Sequence, residues 1–136
     1  MDNVEIVIEK ESHNNIDPSY SLVISDDGTV EFNGKANVSK EGKHLLKISR
    51  DLITELVDKF NMIYFFSLKD KYLSTTDTES EKTTTVISLR VGDKFKKIEY
   101  SKNAKAPHSL DSLASQIEKI TGTDQFLVGL RKKEQI

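Results

Sequence analysis

The stretch that most constrains this chain runs from Pro18 to Phe32 and reads Pro-Ser-Tyr-Ser-Leu-Val-Ile-Ser-Asp-Asp-Gly-Thr-Val-Glu-Phe. Tyr20, Leu22 and Ile24 alternate with smaller or polar residues, so they share one face of a period-2 strand. Asp26-Asp27-Gly28 signals a tight turn, because Asp tolerates positive φ and Gly adopts it without steric cost. Val30 and Phe32 resume the alternation on a returning strand. The stretch therefore predicts a β-hairpin, an architectural feature that by itself carries no chemistry.

Around this hairpin the spacing predicts further elements. Val4, Ile6 and Ile8 alternate with charged residues and predict a strand over residues 3–11. The connection His13-Asn14-Asn15-Ile16-Asp17-Pro18 is polar, and Pro18 keeps Asp17 extended. Asn33-Gly34 and Glu41-Gly42 offer further turns, with short strands at Ala36–Val38 and His44–Ile48. Ser49 suits a helix N-cap and Asp51 the helix dipole. Leu52, Ile53, Leu56, Val57 and Phe60 then form one apolar stripe of a helix ending near Asn61. The run Met62 to Phe66 is the densest apolar and aromatic segment, and it is expected to pack the helix exit into the core.

The second half repeats the plan with different residues. Ser67 to Lys82, polar and acidic without periodicity, reads as a mobile loop. Thr83–Val91 and Phe95–Ser101 alternate about the turn Gly92-Asp93-Lys94 and predict a second hairpin. Pro107 opens a helix at a favoured early position, with Leu110, Leu113, Ile117 and Ile120 on its apolar stripe and Gly122 where a left-handed C-terminal residue belongs. The predicted order is βββ(β)αββα. This is an α+β two-layer sandwich, an antiparallel sheet of about five to six strands with two helices on one face.

Length and composition bound the rest. At 136 residues the chain is expected to form a single domain, 1–136, with a core over about 3–128, a flexible loop over about 73–82 and a short tail at 129–136. Basic and acidic side chains number 20 and 22 and are interspersed, so no nucleic-acid footprint is visible in the totals. The absence of cysteine excludes a disulfide, a thiolate metal site and a cysteine nucleophile. The N-terminus lacks a basic, apolar leader pattern and no segment has about 18 consecutive apolar residues. A soluble cytoplasmic protein is the expectation.

The pieces Pro18-Ser19-Tyr20, Asp27-Gly28-Thr29-Val30-Glu31-Phe32-Asn33-Gly34, Phe65-Phe66-Ser67-Leu68-Lys69-Asp70-Lys71-Tyr72 and Thr121-Gly122-Thr123 occur in that order. In this the chain resembles a widespread prokaryotic family of domains of unknown function. Its members read Cys-x-Gly-x-Cys-Pro-x-Tyr, then Asp-Gly-x-Val-x-Tyr/Phe-x-Gly, a helix, Phe-Phe-x-Leu-x-x-x-Tyr and a closing hairpin and helix. The similarity runs from about Glu5 to Phe126. His13 and Asp17 stand where that family carries its two cysteines, and Asn15 replaces the glycine between them. The resemblance thus implies a fold and transfers no activity.

Candidates for chemistry are few. His13 and Asp17, four residues apart, could share a metal or act in acid–base work with a carboxylate from the Asp70–Glu81 region. Two ligands are too few for a zinc site, and a solvated loop closed by Asx-type hydrogen bonds is the favoured account. His44 and His108 are isolated and read as surface histidines. Asp77-Thr78-Glu79-Ser80-Glu81 lacks the alternating ligands and central glycine of a calcium loop. Lys94, Lys96, Lys97 and Lys102, with Phe95 and Tyr100 among them, form a candidate interaction surface that could stack bases. The plainer account puts Lys96 on the solvent face, with Ile98 and Tyr100 facing the core, and lysines guarding the sheet edge.

These readings favour a monomeric, non-catalytic binding or protein-interaction module, with no cofactor and no membrane contact. The sequence identifies no partner, and another protein is the candidate. The first alternative is a metal-assisted or hydrolase-like enzyme using His13 and Asp17. The second is a weak nucleic-acid binder acting through the lysine-rich last hairpin.

Overall fold

The computed structural model describes residues 3–12, 17–73, 83–101 and 104–127. Its framework is one seven-stranded sheet in the order β4-β3-β2-β1-β6-β7-β5. The strands are β1 (Val4–Ser12), β2 (Ser19–Ser25), β3 (Thr29–Ala36), β4 (Gly42–Lys47), β5 (Lys71–Tyr72), β6 (Thr83–Val91) and β7 (Lys94–Ser101). Among the described residues the sheet is accompanied by the helices α1 (Arg50–Met62) and α2 (His108–Thr121), a 3-10 turn at Phe65–Ser67 and helical residues at 124–127. The architecture is α+β, as the hydrophobic periodicity requires.

The first strand is central. β1 pairs antiparallel with β2 on one side and with β6 on the other. The registers align inward side chains into rows that cross the sheet. One row is Leu46, Val30, Ile24, Ile6, Leu89 and Lys96. The next is His44, Phe32, Leu22, Ile8, Ile87 and Ile98. On these rows pack Ile53, Leu56 and Phe60 of α1 and Leu110, Leu113, Ala114 and Ile117 of α2, forming one continuous buried core. The opposite face alternates to exposed charge, with Glu5, Glu9, Arg90 and Lys97 on it.

The hairpin forms as its spacing predicts. Gly28 adopts φ 93°, its N–H reaches the Ser25 carbonyl at 3.0 Å, and its own carbonyl accepts from the Ile48 N–H at 2.8 Å. The Asp27 carboxylate accepts from the Thr29 N–H at 2.9 Å, which holds its pKa below the ordinary value. Ser49 caps α1 by accepting from the Leu52 N–H, and Gly122 ends α2 in the left-handed region.

The structure departs from the predicted fold at three places. The sheet has seven strands, and it is mixed because β5 runs parallel to β7, with Lys71 beside Glu99 and Tyr72 beside Tyr100. That two-residue strand lies inside the polar stretch read as loop; it is set by the Glu99 N–H donating to the Asp70 carbonyl at 2.8 Å, a non-local contact without a sequence pattern. Asn33-Gly34 is not a turn. β3 continues through it to Ala36, so no strand forms over 36–38, and the chain reverses later, where Asn37 has φ 56° and Gly42 φ 85°. Gly34 is needed for close approach instead: a Cβ there would lie 2.2 Å from the Lys40 carbonyl oxygen. Finally, the aromatic run is only partly internal, since Phe65 is buried whereas Met62 and Tyr64 are 75% and 76% exposed. The expected mobile loop at 73–82 and the tail at 129–136 lie, except for Leu73, outside the described residues.

Candidate functional site

The inward face of the sheet changes character along the strands. After two apolar rows comes a third, Gly42, Gly34, Tyr20, Lys10, Thr85 and Tyr100. Lys10 continues the parity of Ile6 and Ile8, so its side chain is carried inward beneath α2. A fourth row begins with Ser12 beside Thr83. Hydroxyls, a cation and two phenols thus replace aliphatic groups at this end.

Tyr20, Lys10, Tyr100 and Thr83 each meet a partner outside their own strand. Tyr20 donates its hydroxyl to the Glu118 carboxylate of α2, which lies 3.9 Å from the Lys10 ammonium. Glu118 is 7% exposed, and burial raises its pKa against the opposing pull of Lys10. Tyr100 donates to the Asp111 carboxylate at 2.8 Å. Burial, reinforced by the neighbouring Asp111 charge, raises the Tyr100 pKa well above the ordinary phenol value, so its proton stays in that hydrogen bond. Asp17 accepts from the Thr83 hydroxyl at 2.9 Å, and its backbone carbonyl accepts from the Asn37 side-chain amide at 3.1 Å. These bonds tie the chain before the hairpin to β6 and to the β3–β4 connection.

Between these groups lies a cavity of about 260 Å³, walled by Lys10 and Thr85 of the sheet, Asp17 and Pro18 before the hairpin, and Asp111 and Ser115 of α2. Tyr100 and Thr83 complete the lining. Its size is slightly below the roughly 300–1,000 Å³ usual for drug-sized ligands. One ammonium, two carboxylates and several hydroxyls converge on it. A second cavity, about 270 Å³, lies between Val4, Asp26 and α1 and has a mainly aliphatic wall of Val4, Ile53 and Val57. The first is the better candidate because its polar groups come from four separate elements and face one space.

The predicted candidates scatter. Asp17 lines the cavity; His13 lies outside the described residues, as does Lys102. The carboxylate that joins Asp17 there is Asp111. Asp70 instead pairs with Lys96 at 2.6 Å, and residues 74–82 lie outside the described set. Among the described residues no group of three His, Asp or Glu side chains is placed to hold a metal ion. Lys96 is not on the solvent face opposite Ile98 and Tyr100. All three share a parity and therefore a face, and the ion pair with Asp70 accommodates the Lys96 head at the rim. Lys97 and Phe95 lie on the other face, where the Arg90 guanidinium sits 4.7 Å from the Phe95 ring centroid. The lysines of the last hairpin thus divide between two faces. His44 packs beside Phe32 and Phe126 and bonds the Glu41 carbonyl at 2.9 Å.

Lys10, Glu118, Asp111 and Ser115 carry no motif. Two of them left a trace: Lys10 falls at an inward parity, and Glu118 sits on the buried stripe of α2 with Leu110, Leu113, Ala114 and Ile117. A charged residue on an apolar stripe is the signal of a buried polar network.

A family model described as Domain of unknown function (DUF6438) matches residues 6–121, most of the chain, and the protein belongs to that family. The implied kinship with a domain family of unknown function is therefore established at that level. No curated protein matches the chain significantly. No helix among the described residues is long and apolar enough to cross a membrane.

Proposed function

We propose that this DUF6438 domain is a non-catalytic binding module that takes a small polar ligand in the cavity between the sheet and α2. One observation carries the reading. Lys10, Asp17 and Asp111 bring both signs of charge to a 260 Å³ space that also receives the hydroxyl-bearing Thr85, Tyr100 and Ser115. Such a lining recognises a ligand by charge and hydrogen bonding, because an apolar ligand would strip water from these charged and hydroxyl groups without replacing its hydrogen bonds. Binding is favoured over catalysis because the groups that could transfer a proton are committed to fixed partners, Tyr100 to Asp111 and Asp17 to Thr83. The motif resemblance adds support, since the second cysteine position of the Cys-x-Gly-x-Cys-Pro-x-Tyr pattern falls on Asp17, on the cavity wall.

The test is an NMR titration of the ¹⁵N-labelled full chain with amines, carboxylates and free amino acids. At least one class is expected to give saturable shifts at Thr85, Tyr100, Asp111 and Ser115. The cavity-filling Ser115→Trp, at an exposed position on the cavity rim, is expected to abolish them while leaving the remaining spectrum in place. No saturable shift at these residues at millimolar ligand overturns the reading.

A further inference from the structure

The two ends of the sheet are protected unequally. Exposed strand edges invite pairing, and proteins blunt them with short strands, proline, bulges or charge. At one end, β5 is two residues long, and the part of β7 that it leaves uncovered is blunted by charge, with Lys94, Lys96 and Lys97 on it. At the other, β4 is six residues long, contains no proline, and follows β3 without a register shift. Its outer edge has no strand partner among the described residues. On the solvent side of the sheet β4 presents Lys43, Leu45 and Lys47, and Leu45 is 64% exposed. A purely protective edge would not carry an exposed leucine at its centre.

Charge selects what could pair there. Residues 35–47 carry Lys35, Lys40, Lys43 and Lys47 against a single Glu41. Lys43 meets Glu31 at 3.2 Å, but both side chains are largely exposed and such a pair is readily exchanged. A second copy is the wrong occupant: antiparallel pairing of two β4 strands centred on Leu45 sets each Lys43 opposite a Lys47, and like charges directly opposite destabilise a ladder. A strand with acidic residues at those two places and an apolar one between them has the complementary pattern.

We propose that the outer edge of β4 accepts an extended, acidic segment of a partner protein, added to the sheet as an eighth strand. Its main-chain groups continue the ladder, and its alternate side chains match Lys43, Leu45 and Lys47. This surface is separate from the cavity beneath α2 and does not depend on it.

The test uses the ¹⁵N-labelled full chain and two end-blocked peptides, Thr-Glu-Thr-Val-Thr-Glu-Thr and the same sequence with Lys for Glu. The acidic peptide is expected to shift the amides of residues 43–47 and to bind at least about fivefold more tightly than the basic one. The double variant Lys43→Glu, Lys47→Glu, at exposed positions, is expected to reverse that order. The proposal is overturned if the acidic peptide leaves β4 unmoved, or if both peptides bind equally. It is also overturned if β4 amides shift with protein concentration alone, which would identify a second copy as the occupant.

Discussion

The Tyr20 hydroxyl donates to the Glu118 carboxylate, joining β2 to α2 across 98 positions of the chain. The contact fixes the height of α2 over the third row of the sheet, and with it the wall of the cavity. It also places a carboxyl group where the protein largely excludes water, so that folding and ionisation are coupled.

That coupling has a defined sign. Burial raises the pKa of Glu118 above the ordinary value of 4.5, so the folded state holds this proton more tightly than the unfolded one. The resulting stabilisation is fully present below about pH 4.5 and is lost as pH rises through the folded pKa. Glu118→Gln removes the titration. Relative to the natural protein, this variant is expected to be more stable at neutral pH than at pH 4, as read from urea midpoints across the range. An unchanged difference between the two pH values would refute the assignment.

Gly34 and Gly42 face each other across β3 and β4 but are needed for different reasons. A Cβ at residue 34 would lie 2.2 Å from the Lys40 carbonyl oxygen and 2.8 Å from a Val38 methyl carbon, whereas at residue 42 it meets nothing within 4 Å. Gly42→Ala therefore incurs only the left-handed backbone cost of about 1–2 kcal/mol. Gly34→Ala must displace backbone and is expected to cost more, about 3 kcal/mol or beyond. Equilibrium denaturation of the two variants checks the order.

Zinc separates the binding reading from the metal-assisted one. If the cavity takes a polar organic ligand, adding zinc to the apo protein should leave the Asp17, Thr85 and Asp111 resonances in place. Saturable shifts there at an equimolar addition would put the metal-assisted reading ahead of the binding one.

The elements themselves were legible because their signals are local. Alternation marks β1, β2, β6 and β7, and the 3.6-residue stripes mark α1 and α2. Ser49, Gly28 and Gly122 act within a turn of the positions they terminate. Gly34 misled because a glycine beside asparagine signals a turn, while the reason for this glycine is a carbonyl from the next connection. β5 has no sequence signal, because two residues carry no period and the Asp70 to Glu99 contact that creates it spans two elements.

Of the cavity lining, Asp17 alone stands out in the sequence as a candidate for acid–base or metal chemistry, and then as one polar residue in a loop. Lys10, Thr85, Tyr100 and Glu118 look unrelated along the chain. They meet because β1 pairs with both β2 and β6, which sets Lys10 between Tyr20 and Thr85. By itself the sequence determined which segments become strands and helices and which face of each is apolar, since those follow from side-chain period and local capping. Only the tertiary structure decided the strand order, the register of the rows and hence which polar groups share a cavity. Register depends on contacts between residues far apart in the chain, and no local pattern encodes them.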